Sequence, residues 1–300
     1  MGLAINHNLM AANTANNLNS HYEKLSVSTQ RLSSGLRINS AADDAAGLAI
    51  RELQRTEIAA LQQGSRNASD AISLIQTADG ALGVIDEKLT RMKELAEQAA
   101  TGTYDSTQRL MIESEYQAMA SEITRIADAT DFNGIHLLDG NLQSNVHNGS
   151  GLTPTGKLKV HFGSGNDSAE DYYYIQIGTS TASALGVGNQ ALAYTDKADA
   201  RTVSTQEAAQ KALVGLNAAV VSKDKIRAHL GALQNRLENT ISNLTTQSQN
   251  LQAAESRISD VDVATEMTSF VRNQILTQSA VAMLSQANSM PQMALSLITR

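Results

Sequence analysis

IRAHLGALQNRLENTISNLTTQSQNLQAAESRI, from Ile226 to Ile258, is the stretch that decides the fold. Leu230, Leu237, Leu244, Leu251 and Ile258 recur every seven residues, with Ile241 set between two of them, which draws one narrow apolar seam along a long helix. A seam this narrow needs partner helices. Gln234, Ser248 and Glu255 hold the intervening positions, and polar residues there weaken the seam while discriminating between registers.

Composition says what those partners are. Of 300 residues, 42% are apolar and only 3% aromatic, with no Trp, so the core is aliphatic and rich in alanine, which suits helix packed on helix. The two prolines, Pro154 and Pro291, leave two long arms free to be helical on either side of a middle segment. A net charge of -7 argues against nucleic acid as a partner. Without cysteine there are neither disulfides nor thiolate metal sites.

The run Met1 to Tyr22 contains no Asp, Glu, Lys or Arg. It lacks the basic region and continuous apolar core of a signal peptide, and its asparagines disqualify it as a membrane span. Ala11, Ala15, Leu18, Tyr22, Leu25 and Leu32 fall on alternating spacings of four and three, interrupted by Thr29, which predicts an amphipathic helix. A break at Ser33 to Gly35 precedes a second helical arm from about Ala41 to Ala99. Its later half carries Ala71, Ile75, Ala78, Leu82, Ile85, Leu89, Met92, Ala96 and Ala99 in unbroken alternation, the signature of bundle packing. Asp105 and Gln108 form a capping-box pattern that starts a third helix with the stripe Ile112, Tyr116, Met119, Ile123 and Ile126.

From Asp131 to about Ala200 the composition shifts to Gly, Asn, Ser and Tyr. Leu158, Val160 and Phe162 alternate with polar residues, as do Tyr173, Ile175 and Ile177 with Tyr172, Tyr174 and Gln176, which predicts a small β-hairpin region. Helix restarts near Thr205, is interrupted over Ser259 to Glu266, and ends with a segment carrying Leu276, Ala280, Met283, Ala287 and Met290. Asn273 to Thr299 is again free of charge. The fold expected is therefore mainly α: a long helical coiled-coil bundle built from both arms, with a hairpin region in the middle.

Catalytic and cofactor motifs are missing. Gly151 to Lys157 fits P-loop spacing, but Leu158 replaces the Ser or Thr that would hold Mg²⁺ and a strand follows instead of a helix. Ala129 to Gly140 has an EF-hand look at Asp131, Asn133 and Gly134, yet Ala129 and Gly140 stand where the first ligand and the bidentate Glu belong, so a turn is the expectation. No H-E-x-x-H or G-x-S-x-G occurs. No cofactor is expected. The informative feature is the pair of charge-free ends: amphipathic helices without charge expose apolar stripes that many copies packed side by side can bury without stranding an ion in a dry interior.

These residues resemble those of the bacterial flagellins. The likeness covers roughly residues 1 to 140, with QRLSSGLRINSAADDAAGLAI at Gln30 to Ile50 and DFNGIHLLDG at Asp131 to Gly140, and about 205 to 300, with LGALQNRLENTISNL, AAESRISDVDVATEM and AMLSQANSMPQMALSLI. The resemblance implies a structural, non-enzymatic subunit that leaves the cell by type III export and polymerises into an extracellular flagellar filament used for swimming. It further implies that residues 1–32 and 265–300 form an inner coiled-coil domain. Residues 33–42 and 259–264 would be connectors, 43–130 and 205–258 the helices of a rod, and 131–204 a short variable region.

Implied partners are further copies of the chain, cap and hook-associated proteins, and an export chaperone at the C-terminal helix. An assembly interface including Leu18, Tyr22, Leu25, Leu276, Met283 and Met290 is expected. By the same resemblance, RMKELAEQ at Arg91 to Gln98 and IESEY at Ile112 to Tyr116 look like the surface read by the flagellin-sensing Toll-like receptor, matching at Arg91, Leu95 and Glu115. Lys93 and Met119 stand where arginine is often found, and lysine lacks the bidentate fork. Leu295, Leu297 and Ile298 resemble a segment read by cytosolic innate sensors.

Overall fold

A computed structural model of the chain describes residues 8–144, 156–168, 170–189 and 201–298. Among the described residues six α-helices and four short strands follow one another, with a 3-10 turn at Asn141–Gln143: α1 (Leu9–Ser34), α2 (Ala45–Ala100), α3 (Ser106–Ala129), β1 (Asp131–Phe132), β2 (Ile135–His136), β3 (Leu158–His161), β4 (Tyr172–Ile175), α4 (Ala182–Leu185), α5 (Gln206–Ser259) and α6 (Val263–Ile298). The architecture is mainly α with two small hairpins, as the patterning predicts. The chain divides into two compact units. One holds the described residues up to Ile58 together with those from Gln249 onward, and the other holds Ala59–Ser248.

In the second unit the predicted stripe of α2 is the core. Ala71, Ile75, Ala78, Leu82, Ile85, Leu89, Met92, Ala96 and Ala99 are all buried, joined by Leu74 from the same helix. Across from them lie Leu216, Ala219, Leu230, Leu233 and Leu237 of α5 and Ile112, Tyr116, Ala120, Ile123 and Ala127 of α3. Alanines at so many facing positions let the helix axes approach closely. α2 and α5 run in opposite directions, because Asp79 pairs with Arg227 at 2.7 Å and Asp86 with Lys223 at 2.6 Å. Lys223 is only 2% exposed, and its ammonium is also 2.7 Å from Asp224. Burial opposes its charge, but the hydrogen-bonded carboxylates of Asp224 and Asp86 win and hold its pKa above the ordinary lysine value.

The α5 seam differs in one detail. Leu233 and Thr240 are enclosed, whereas Gln234 and Ile241, one residue further along, are only half-buried. A straight helix drifts about 20° per heptad, so a helix facing two neighbours buries a band rather than a line. Leu251 and Ile258, which lie in the first unit, are half-buried as well. There Glu255 meets Arg55 at 2.9 Å, so this polar seam position is matched by charge.

Caps and turns follow their residues closely. Asp105 and Gln108 form a capping box at α3, and the Thr205 hydroxyl accepts from the Ala208 amide at 3.2 Å at the start of α5. The EF-hand-like run is a two-residue hairpin: Asp131 pairs with His136 and Phe132 with Ile135, while Asn133 and Gly134 both take positive φ, as such a turn requires. β3 pairs with β4 in the register Val160 to Tyr173, burying Val160, Phe162, Ile175 and Ile177. Gly64 of α2 lies so close to this hairpin that a Cβ there would sit 1.9 Å from the Phe162 carbonyl oxygen. The P-loop-like run Gly151–Lys157 lies, up to residue 155, outside the described residues. Helix α4 is not foreseen by periodicity, being a single turn, though Thr181 caps it at 3.3 Å and Gly186 closes it at φ 74°.

In the first unit the two non-helical segments grip each other. Gly35 ends α1 in the left-handed region, and then the Arg37 amide donates to Ser259 at 2.7 Å and the Val261 amide to Gly35 at 3.0 Å. The Arg37 guanidinium reaches the Ile258 carbonyl at 2.7 Å, and the buried Arg51 donates to the Ile38 carbonyl at 2.8 Å. The Asp43 carboxylate accepts from the Ser40 and Asn39 amides, which hold its pKa below the ordinary value. The interruption before α6 is shorter than predicted, only Asp260 to Asp262. Asp262 caps the new helix by accepting from the Ala264 amide at 3.0 Å and the Thr265 hydroxyl at 2.8 Å.

Candidate functional site

Helices α1 and α6 pack against each other antiparallel, with Arg31 3.7 Å from Glu266 at one end and Asn8 bonded to the Ala287 carbonyl at the other. The enclosed positions of this pair are small or polar: Ser28 on α1, and Thr277, Ala280 and Ala287 on α6. Small contact residues bring the helices together but bury little apolar area. Many of the large side chains point elsewhere. Val263, Met267, Val271 and Ile275, spaced by four along α6, are all exposed, Val263 at 57%. Leu276, Val281, Met283 and Met293 of α6 are exposed as well, and α1 adds Leu9, Met10, Tyr22 and Val27. Apolar residues gathered like this on two helices mark a surface meant for contact.

The expected assembly residues divide across this geometry. Tyr22, Leu276 and Met283 are exposed, Met283 at 58%, whereas Leu18, Leu25 and Met290 are half-buried. On α1 the inward line passes through Leu18, His21, Leu25 and Ser28, so Tyr22 and Thr29 fall one residue outside the line that spacing alone assigned them. On α6 the half-buried Leu284 takes the inward place assigned to Met283. On α1 the line takes in the polar His21 and Ser28, which hydropathy passes over, whereas on α6 Met283 and Leu284 are both apolar and spacing alone does not choose between them. The row Val263, Met267, Val271 and Ile275 was missed by the sequence reading. Its signal is the strict spacing of four, which winds slowly around a helix of 3.6 residues per turn instead of holding one seam.

The second candidate surface lies on α2 and α3. The Arg91 guanidinium donates to Glu115 at 2.8 Å and to Glu94 at 3.0 Å, and these hydrogen bonds, the Glu115 one foremost, raise its pKa. Both Arg91 and Glu115 are solvent-exposed, so the structure brings them together on the surface. Leu95 corrects the expectation. It is 1% exposed and belongs to the core, because it lies three residues beyond Met92 and four before Ala99 on the inward face of α2.

An open cleft between α2 and the hairpins is lined by Asn67, Asp70, Leu74, Phe132, Val160 and His161. It brings no nucleophile to a base, and among the described residues no cluster of three metal-ligating side chains occurs. No helix among the described residues is long and apolar enough to cross a membrane.

Comparison with known proteins places the chain among relatives of one family. The model of the bacterial flagellin N-terminal helical region matches residues 5–143, and that of the C-terminal helical region matches residues 213–298. The chain is 42% identical over 309 residues to a flagellin of Bacillus subtilis, covering 99% of this chain and 100% of that one. It is 39% identical over 299 residues to flagellin FlaB2 of Treponema pallidum, again covering 99% and 100%. Among solved structures, a Bacillus cereus flagellin is 28% identical over 63% of this chain and 94% of its own, with a TM-score of 0.46.

Proposed function

Because this chain belongs to the bacterial flagellins, and so is a structural subunit of the extracellular flagellar filament and not an enzyme, we propose that its α1–α6 pair is the layer through which copies of it touch. In this reading residues 1–32 and 265–300 form the inner layer, and 33–42 with 259–264 are the connectors. Residues 43–130 and 205–258 form the rod, and 131–204 is its outer elaboration. The observation that carries it is the exposed apolar row of α6, Val263, Met267, Val271 and Ile275, beside the charge-free runs Met1 to Tyr22 and Asn273 to Thr299. An open helical polymer needs contacts in which one surface meets a different surface of the next copy without closing, and two faces of one helix pair supply them.

The test is Met283→Asp. The side chain is exposed, so a monomer tolerates the carboxylate, with a melting temperature changed by no more than about 2 °C. Seeded filament growth is lost, since every added subunit would have to carry an unpaired charge into a dry contact. Growth at the parental rate would overturn the assignment.

The resemblance further supports cap and hook-associated proteins at the filament ends and an export chaperone on α6, with export by the type III route. It also supports a flagellin-sensing Toll-like receptor on the α2–α3 face, where Arg91 and Glu115 are exposed while Leu95 is excluded by burial. Arg91→Ala is expected to weaken binding to the receptor ectodomain by several-fold, measured by surface plasmon resonance. An unchanged affinity would remove this face from the receptor contact. No role in nucleic-acid binding or membrane insertion belongs to this reading.

A further inference from the structure

Pro291 lies inside α6, four residues after the buried Ala287, and its place creates a demand that Asn8 meets. In an α-helix the carbonyl of Ala287 accepts from the amide of residue 291, and proline has no amide hydrogen to give. Ala287 is buried, so water does not readily replace the missing donor. The Asn8 side-chain amide does, with Nδ2 donating to the Ala287 carbonyl oxygen at 2.8 Å. The same side chain is committed at its other end, where Oδ1 accepts from the Ala11 amide at 3.0 Å and caps α1. Both ends of one amide are thus used, and the donor is aimed at the one carbonyl of that turn whose usual partner the sequence has removed.

We propose that Asn8 is a positioning residue that fixes the axial register of α1 against α6 by supplying the hydrogen bond that Pro291 withholds. In an isolated, solvated helix the free carbonyl is met by water and Pro291 specifies nothing. In a dry packed layer the carbonyl needs a protein donor, and sliding α1 by one turn would move Asn8 about 5.4 Å away from it. A single unmet polar group is the kind of device that selects one register where small residues such as Ser28, Thr277 and Ala280 leave several nearly equivalent. The inference rests on the reading of α1 and α6 as the layer that becomes dry on assembly.

The experiment is a double-mutant cycle in the full-length chain, read as the monomer concentration left in equilibrium with seeded filaments. Asn8→Ser keeps a capping oxygen for Ala11 but is too short to reach Ala287, and Pro291→Ala restores the backbone donor. Asn8→Ser alone is expected to raise the residual monomer concentration on the order of tenfold, but by less than about twofold in the Pro291→Ala background. The same rise in both backgrounds would reduce Asn8 to a cap or a packing residue, and no rise in either would remove its role altogether. Failure of the assembly reading itself is distinguishable, because it would appear as normal growth of Met283→Asp filaments whatever the outcome of the cycle.

Discussion

Deleting Gln286 to Arg300 is expected to abolish seeded filament growth while leaving the melting of the Ala59–Ser248 unit within about 2 °C of that in the full chain. The two effects separate because their residues do. The contiguous buried cluster runs from Ala68 to Leu237 and includes nothing from α6. The deleted residues instead carry Ala287, whose carbonyl receives the Asn8 amide, the half-buried Met290, and the exposed Met293. Each subunit would lose part of a contact face, and a polymer that repeats its contacts repeats the loss at every position. Capture of the truncated chain by the export chaperone should fail as well, if that partner docks on α6. Elongation at the normal rate, followed by electron microscopy, would show that the end of α6 is not an assembly surface.

What periodicity could reveal differs between the units. In α2 every position of the alternating stripe from Ala71 to Ala99 is buried, because its apolar residues and its packing face coincide. In α1 and α6 they do not coincide. The packed line uses Ser28 and Thr277, polar residues with no hydropathic signal, beside the expected Ala280 and Ala287, while Val263, Met267 and Ile275 remain exposed. Hydropathy reads where apolar residues are, and in a subunit made for assembly many of them await another chain. The breaks between α1 and α2 and between α5 and α6 were legible at Gly35 and Ser259, but the pairing of those two segments was not. The Arg37 to Ser259 bond joins segments more than two hundred residues apart, through backbone atoms that every sequence possesses. The receptor-face expectation at Leu95 failed for a related reason. Likeness of sequence carries a residue's identity, and the packing of α2 decides which way that residue points.

Leu89→Asp should unfold the Ala59–Ser248 unit at temperatures where the parent is fully folded. Leu89 is 0% exposed, midway along the α2 stripe between Ile85 and Met92, both also fully enclosed. The substitution removes a leucine from a close-packed core at a cost of about 2–5 kcal/mol, and placing a carboxylate there adds several more. Against a domain stability of about 5–15 kcal/mol, the sum is large enough to be decisive. Leu110→Asp on α3 is the control: Leu110 is 59% exposed, and the same chemical change should shift the melting temperature by only a few degrees. The pH dependence separates charge from cavity. Burial raises the folded-state pKa of the new carboxyl above its unfolded value, so the penalty for its charge is fully present above the folded pKa and disappears as pH falls below the unfolded one. Relative to the parent, Leu89→Asp should therefore recover partly on mild acidification, whereas Leu89→Ala should keep a constant deficit. Circular dichroism melts across that pH range decide the matter. A Leu89→Asp chain that melts with the parent at neutral pH would mean that the α2 stripe is not the core of this unit.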